Sequence, residues 1–273
     1  MAPVAPDHPP RRGPLTPFEL PGVPGNPGVL LLHGLGCSPY TMRSLGESLS
    51  AAGFASYAPL LPGHGESLAD FQEVTRADWL EAAEASFRLL KSRYNKVVVI
   101  GFSMGGTLAL SLAEKHRPYA LVLLATPVFF EDWEKRIFPA GRQLTSALPL
   151  VFDVANRGAR RRRRDGVHKT LPVKAVGEFL QLLDIARQNL ALIECPILVA
   201  QSRSDHTVPP SNAPYIIEQV ASTKRRLLWL KRAYHVLPVD YGCKRLEREI
   251  CRFLTELQLG SRSGEHSGHA VLS

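Results

Sequence analysis

Short apolar runs alternate with longer amphipathic segments along most of this chain. The apolar runs predict six strands: Gly28–His33, Phe54–Leu61, Lys96–Gly101, Ala120–Ala125, Pro196–Ala200 and Arg226–Leu230. The other segments have apolar residues at helical spacing, at about 40–52, 76–93, 104–116, 173–191, 211–222 and 243–258. Continuous apolar strands alternating with amphipathic helices are typical of a parallel sheet with helices on both faces. The pattern therefore predicts an α/β fold with a mostly parallel sheet of at least six strands.

One long segment interrupts this alternation. About forty residues between Thr126 and Pro172 carry no strand pattern, and insertions of that length in a compact domain are usually lids or disordered segments. Disordered segments are poor in large aromatic side chains. This segment holds Phe129, Phe130, Trp133, Phe138 and Phe152. We therefore expect a small cap or lid at about residues 128–170.

The chain has 273 residues, which suits one large domain carrying an insertion. Residues 1–14 contain five prolines, and residues 260–273 are polar and rich in Gly and Ser. We expect a disordered lead-in at 1–14, a single domain at 15–259 and a flexible tail at 260–273. No apolar run reaches the roughly 18 residues of a membrane-spanning helix, and the N-terminus lacks the apolar core of a secretory signal.

Cysteine usage gives an expectation about the compartment. The four cysteines are few for this length, and their spacing is not that of a metal site. We interpret them as reduced thiols of a cytoplasmic protein, with no metal bound. They are Cys37, Cys195, Cys243 and Cys251.

The net charge of +8 is unevenly distributed. Residues 1–150 are neutral overall, so the whole excess lies in 151–273, and it is densest at Arg160–Arg164. Such a run can bind nucleic acid or an anionic membrane surface. Nucleic-acid recognition would also need a reading helix or a stacking platform, and the sequence indicates neither. We therefore favour a solvated loop, with no nucleic-acid partner and at most weak contact with an anionic surface.

The most specific local signal is Gly101-Phe102-Ser103-Met104-Gly105, which satisfies G-x-S-x-G between a predicted strand and a predicted helix. This is the context of a nucleophile elbow, a sharp turn that presents a serine at the end of a strand. The glycines are needed because neighbouring side chains would collide in such a turn. Ser103 is therefore the candidate nucleophile.

An oxyanion formed during attack by Ser103 needs two N–H donors. One is expected from Met104, which follows the nucleophile, and the other from the loop after the first apolar strand. That loop reads His33-Gly34-Leu35-Gly36, so we name Leu35 as the second donor. We interpret His33 as a residue that orients the loop and not as a base, because it ends a buried strand.

A serine nucleophile needs a base, which is usually histidine. Of the nine histidines, His235 directly follows the last predicted strand and so lies at the same sheet edge as Ser103. The acid should follow another strand between serine and histidine in the chain, where Asp205 fits and Asp184 and Asp240 fit less well. The remaining histidines lie in tails, polar segments or loops: His8, His64, His116, His168, His206, His266 and His269.

The order Ser103, Asp205, His235 is that of α/β-hydrolases, and the chain resembles this superfamily over most of its length. Within it, the chain is most similar to small bacterial carboxylesterases and monoacylglycerol lipases. The resemblance rests on LLHGLGCSP, LLPGHGES with a downstream ADW, GFSMGGTLAL, CPILVAQSRSDHTVPPSNAPYI and LKRAYHVLPVDY.

The resemblance implies an α/β-hydrolase fold with a small cap, and the same three residues as nucleophile, acid and base. It also implies an oxyanion hole at Leu35 and Met104. We assign substrate contacts to Leu35, Met104 and Phe129, and expect hydrolysis of short to medium-chain esters, including monoacylglycerols, without a cofactor. Thioesterase and acyltransferase chemistry remain alternatives, as does a non-catalytic binding protein that uses Arg160–Arg164. We expect a monomer or a small homo-oligomer.

Overall fold

The computed structural model describes residues 15–130, 147–149, 154–155 and 170–266. Seven strands form one sheet: β1 (Phe18–Leu20), β2 (Gly28–Leu32), β3 (Ser56–Ala58), β4 (Val97–Phe102), β5 (Ala120–Leu124), β8 (Ile197–Ser202) and β9 (Arg225–Leu230). Their order across the sheet is β1-β3-β2-β4-β5-β8-β9. Only β1 runs antiparallel to its neighbour. The predicted mostly parallel sheet is thereby confirmed.

Seven α-helices accompany the sheet in the described part of the chain. They are α1 (Arg43–Ala51), α2 (Leu68–Glu73), α3 (Arg76–Lys91), α4 (Met104–His116), α5 (Val173–Gln188), α6 (Asn212–Gln219) and α7 (Cys243–His266). Three short 3-10 turns span Pro39–Met42, Leu190–Leu192 and Leu237–Val239. The predicted helix at 40–52 is thus a 3-10 turn followed by α1.

Two apolar cores cover the two faces of the sheet, because successive strand side chains point to opposite sides. On one face Val97, Val99 and Leu123 pack with α3, α4, α5 and α6. On the other face Val98 and Val122 pack with α1 and α7. This double burial explains why the central strands are continuous apolar runs and not alternating ones.

Several predicted boundaries were wrong. The strand predicted at Phe54–Leu61 is only Ser56–Ala58, because Pro59 lacks the N–H that would continue the ladder. Strand β1 and helix α2 were not predicted, since segments of three and six residues are too short to show a period. The predicted flexible tail begins as helix, because α7 continues to His266. Extending a packed helix adds one hydrogen bond per residue.

The insertion after β5 contains a strand pair that the sequence pattern did not indicate. Strand β6 (Ala147–Pro149) pairs antiparallel with β7 (Thr170–Pro172), which directly precedes α5. The lead-in at 1–14, Trp133, Phe138, Phe152 and Arg160–Arg164 lie outside the described residues.

Candidate active site

Ser103 lies in a strained turn between β4 and α4. Its φ of 52° and ψ of −121° are unfavourable for a residue with a side chain. The turn is closed by the Ser103 N–H, which donates to the carbonyl of Leu124 at 2.8 Å. It also requires glycine at position 101, where an added Cβ would lie 2.1 Å from the Gly105 oxygen. The half-buried serine is therefore held at the carboxyl edge of the sheet by its backbone.

A continuous hydrogen-bonded chain joins Ser103, His235 and Asp205. Ser103 Oγ lies 3.0 Å from His235 Nε2, and His235 Nδ1 lies 2.9 Å from Asp205 Oδ2. A carboxylate only accepts, so Nδ1 carries the hydrogen and donates to it. Nε2 is then left with a lone pair, which accepts the serine O–H. This tautomer is the one that removes a proton from the serine.

The Asp205 carboxylate is completely buried and receives four donors. Oδ1 accepts the N–H groups of Thr207 at 2.9 Å and Val208 at 2.8 Å, while Oδ2 accepts His235 Nδ1 and Gln201 Nε2, both at 2.9 Å. Burial raises the pKa of this carboxyl. The positive charge and hydrogen bond of His235, with the two N–H donors, outweigh that effect and leave the pKa below its ordinary value.

The loop after β2 packs directly against the serine. A Cβ added to Gly34 would lie 3.2 Å from Ser103 Cβ. Within the described residues, the N–H groups of Leu35 and Met104 donate to no backbone carbonyl. Met104 begins α4, where the helix leaves such N–H groups without a partner and favours negative charge. Both segments next to Ser103 thus contain a backbone N–H without a carbonyl partner among the described residues, and their use as an oxyanion site stays a prediction.

Two buried histidines hold this loop through hydrogen bonds to the backbone. His33 Nε2 accepts the Leu61 N–H at 3.1 Å, and His64 Nε2 accepts the Gly36 N–H at 3.0 Å. The other ring nitrogen, Nδ1, donates to a backbone carbonyl in each case. His33 Nδ1 lies 3.0 Å from the carbonyl oxygen of Gly34, and His64 Nδ1 lies 3.0 Å from that of Pro62. Each histidine therefore links its own loop to the loop of the other, and His33 has the orienting role predicted from the sequence.

A sequence profile described as serine aminopeptidase, S33, matches residues 26–241 of this chain. The match covers more than half of the chain and includes Ser103, Asp205 and His235. The chain belongs to this hydrolase family.

Curated relatives of this S33-family chain include two bacterial enzymes. A thermostable monoacylglycerol lipase from Bacillus sp. (strain H-257) is 32% identical over 80% of this chain and 86% of its own length. A carboxylesterase from Bacillus subtilis (strain 168) is 25% identical over 88% of this chain and 96% of its own.

Solved structures give the same fold. A structure from a study of two metagenome-derived lipolytic enzymes, LipS and LipT, is 29% identical to this S33-family chain with a TM-score of 0.81, covering 89% of this chain and 98% of the other. The monoacylglycerol lipase of Paleococcus ferrophilus, at 21% identity and a TM-score of 0.74, covers 90% and 100% and supports the fold alone.

Other candidates from the sequence have different places in this S33-family fold. Asp184 is exposed on α5 and pairs with Arg187 at 3.2 Å. His116 pairs with Glu84 at 3.1 Å, and His206 is exposed, with its ring edge-on to Tyr234. None of these contacts involves Ser103, so they give these residues no part in the serine site.

Asp240, the weaker candidate for the acid, binds the backbone next to His235. Its buried Oδ2 accepts the N–H of Tyr234 at 2.8 Å and the N–H of Ala155 at 2.9 Å. The carboxylate thus connects Tyr234, the residue before His235, to Ala155 in the insertion. Sequence reasoning missed this role, because nothing in the local pattern shows which backbone groups will lie nearby.

Phe129 begins the insertion, and its position is also set by a residue that the sequence did not single out. Buried Asn212 Oδ1 accepts the N–H groups of Val128 at 2.7 Å and Phe129 at 3.0 Å. The Phe129 ring meets Tyr215 edge-on at 5.3 Å between centroids. Its assignment to substrate binding stays a prediction.

The described residues contain no group of three His, Cys, Asp or Glu side chains that could hold a metal ion. The four cysteines form no disulfide. Burial raises the pKa of the Cys195 thiol to about 11, which makes it a poor nucleophile. Within the described part of the chain, no helix is both long and apolar enough to cross a bilayer.

The histidine pair behind the oxyanion loop gives a testable prediction. Replacing His64 by Leu leaves the buried Gly36 N–H without an acceptor, which lowers the free energy of unfolding by about 1–3 kcal/mol. We also expect kcat to fall by up to ~100-fold, because the Leu35 N–H is no longer held in place. Chemical denaturation and steady-state ester hydrolysis measure the two effects.

The variant His64→Gln is the matched control, since its amide oxygen can accept an N–H as Nε2 does. We expect it to recover part of both losses. Unchanged stability and kcat in His64→Leu would show that the histidine does not position the loop.

Proposed function

We propose that this protein is a carboxylic ester hydrolase that acts through an acyl-enzyme on Ser103. The observation that carries the proposal is the chain of contacts from Ser103 Oγ to His235 and Asp205, at 3.0 and 2.9 Å. It provides a nucleophile, a base in the correct tautomer and a buried carboxylate that holds that tautomer.

In the first half-reaction Ser103 Oγ attacks the ester carbonyl, and its proton passes to His235 Nε2. The carbonyl oxygen gains negative charge, which the N–H groups of Leu35 and Met104 stabilise. The bond to the alkoxy oxygen then breaks, and that oxygen takes the proton from His235. The products are a free alcohol and an acyl group on Ser103.

In the second half-reaction water attacks the acyl carbonyl and gives a proton to His235. The tetrahedral intermediate collapses with return of that proton to Ser103 Oγ, and the carboxylic acid leaves. Asp205 keeps the imidazole oriented and stabilises its protonated form in both halves. The depressed pKa of Asp205 keeps it ionised while His235 changes protonation.

The proposed substrates are esters of short to medium-chain acids, including monoacylglycerols. The monoacylglycerol lipase and carboxylesterase relatives support this class. So do the half-buried rings of Phe129 and Phe130 where the insertion begins, because aromatic side chains offer apolar contact to an acyl chain. Leu35, Met104 and Phe129 are the proposed contact residues.

The test is a panel of p-nitrophenyl esters from acetate to palmitate, with monoacylglycerols and triacylglycerol emulsions alongside. We expect an optimum of kcat/KM at short or medium acyl length and hydrolysis of monoacylglycerols. A strong preference for insoluble triacylglycerols, with little activity on soluble esters, would contradict the proposed substrate class.

Thioesters, amides and alcohol acceptors in the same panel test the alternatives. Thioesterase, acyltransferase and amidase chemistry would use the same three residues, so they differ only in which member of the panel reacts fastest. Absence of turnover on every member by well-folded protein would favour a non-catalytic binding role.

Cytoplasmic location and a monomer or small homo-oligomer complete the proposal. Four cysteines without a disulfide support a reducing compartment. Fractionation of the source cells and light scattering of the purified protein test these two statements.

A further inference from the structure

Gln201 contacts the carboxylate of Asp205, the candidate acid of the site. Its Nε2 donates to Asp205 Oδ2 at 2.9 Å, the same oxygen that accepts His235 Nδ1. The assignment of the amide is unambiguous, because a carboxylate oxygen only accepts and must therefore face the NH2 group.

Burial makes an amide at this position unusual. Gln201 lies in β8, on the same strand face as Ile197 and Val199, both of which belong to the apolar core. Gln201 itself is completely buried. The pattern of the strand would place an apolar side chain here.

The oxygen of the same amide, Oε1, is buried and makes no hydrogen bond within the described residues. A buried polar atom without a partner lowers stability. The amide therefore weakens the core at its oxygen, and the contact it makes at its nitrogen is with the candidate acid.

We infer that Gln201 is a positioning residue of this site, which holds the Asp205 carboxylate in the orientation that accepts His235. This inference rests on the proposed function of Ser103, His235 and Asp205. Among the described residues the side-chain hydrogen bond of Gln201 is to Asp205, so the amide acts through that carboxylate.

The geometry gives the amide two effects on the carboxylate. It occupies one lone pair of Oδ2, so the other is directed at His235 Nδ1, while Thr207 and Val208 hold Oδ1. It also withdraws negative charge from Oδ2, which limits how strongly Asp205 favours a protonated His235. His235 is the titratable side chain that contacts Asp205 in the described residues.

The decisive variant is Gln201→Met, which keeps the volume and removes both the donor and the unpaired oxygen. We expect kcat to fall by about 10- to 100-fold with little change in KM, since the base is less well oriented. We also expect the acid limb of kcat/KM to move to higher pH, because the less shielded carboxylate favours protonated His235. The Tm should change little, because loss of the hydrogen bond to the buried carboxylate and removal of the unpaired Oε1 act in opposite directions.

Thr126→Val is the matched control. Thr126 is also buried, follows the neighbouring strand β5, and its Oγ1 has no hydrogen-bond partner among the described residues. The change again removes a buried polar atom from the same edge of the sheet, without touching Asp205. We expect kcat and the acid limb of this variant to match the wild type.

A readout without substrate is the low-field proton resonance of His235 Nδ1–H, which should shift in Gln201→Met and not in Thr126→Val. Wild-type kcat, acid limb and resonance in Gln201→Met would overturn the inference, as would a lower Tm accompanied by an unchanged acid limb. Failure of the proposed function looks different, because wild-type protein would then show no Ser103-dependent hydrolysis in the same assay.

Discussion

Replacing Ser103 by Ala is expected to lower kcat for ester hydrolysis by roughly 10⁴- to 10⁶-fold, the range for loss of a serine nucleophile. The change removes only one oxygen atom, and the backbone contact that holds the turn comes from the N–H of residue 103 and is kept. We therefore expect the Tm and the far-UV spectrum to stay close to wild type. Parallel measurement of p-nitrophenyl ester hydrolysis and thermal unfolding gives both quantities.

Ser111→Ala is the matched control for this variant. Ser111 lies on the same helix α4 and is buried, and within the described residues its hydroxyl donates to the carbonyl of Thr107 one turn earlier. Its loss should leave kcat within about twofold of wild type, since the change removes one local hydrogen bond within the helix. Comparable turnover in Ser103→Ala and wild type would remove Ser103 from the mechanism.

Replacing Asp205 by Asn is expected to lower kcat at neutral pH by about 10⁴-fold. The amide NH2 can face His235 Nδ1, and Nδ1 must then accept a hydrogen bond. The hydrogen of the imidazole moves to Nε2, which can no longer take the serine proton. Binding of substrate involves neither group, so KM should change far less than kcat.

The exposed Asp184 supplies the control, because Asp184→Asn makes the same chemical change on the surface of α5. We expect wild-type kinetics from that variant. A small loss in Asp205→Asn, or similar losses in both, would argue against Asp205 as the acid.

Acid unfolding checks the charge state of Asp205 separately. Its folded pKa is depressed, so ionisation stabilises the fold fully above the ordinary aspartate pKa of about 4. This contribution is lost as the pH falls through the depressed folded value. The stability that the Asp205 carboxylate gives wild type over Asp205→Asn should therefore shrink as the pH falls below about 4 and through the depressed folded value.

The framework of the fold could be predicted because it depends on local patterns. Helix α4 was predicted at 104–116 and has those bounds, since Ser103 begins it in a strained turn and Arg117, with a φ of 45°, ends it. The short pair β6 and β7 could not be predicted, because its partners are separated by about twenty residues and each strand has only three. A period cannot be recognised over three residues.

The same distinction applies to the candidate site. Ser103, Asp205 and His235 were named because each follows a strand, and parallel strands bring their carboxyl ends to one edge. The contacts of His64 with Gly36 and of Gln201 with Asp205 had no such signal. They depend on which segments meet in space, and the strand was predicted to end at Ala200, so the sequence did not place Gln201 in the sheet.

The most direct test of the acyl-enzyme is to identify the residue that becomes covalently modified. The protein is incubated with a fluorophosphonate, digested, and mapped by mass spectrometry, with Ser103→Ala treated in parallel. We expect one adduct, on Ser103, and none in the variant. An adduct on another residue, or unmodified protein that still hydrolyses esters, would contradict a mechanism through Ser103.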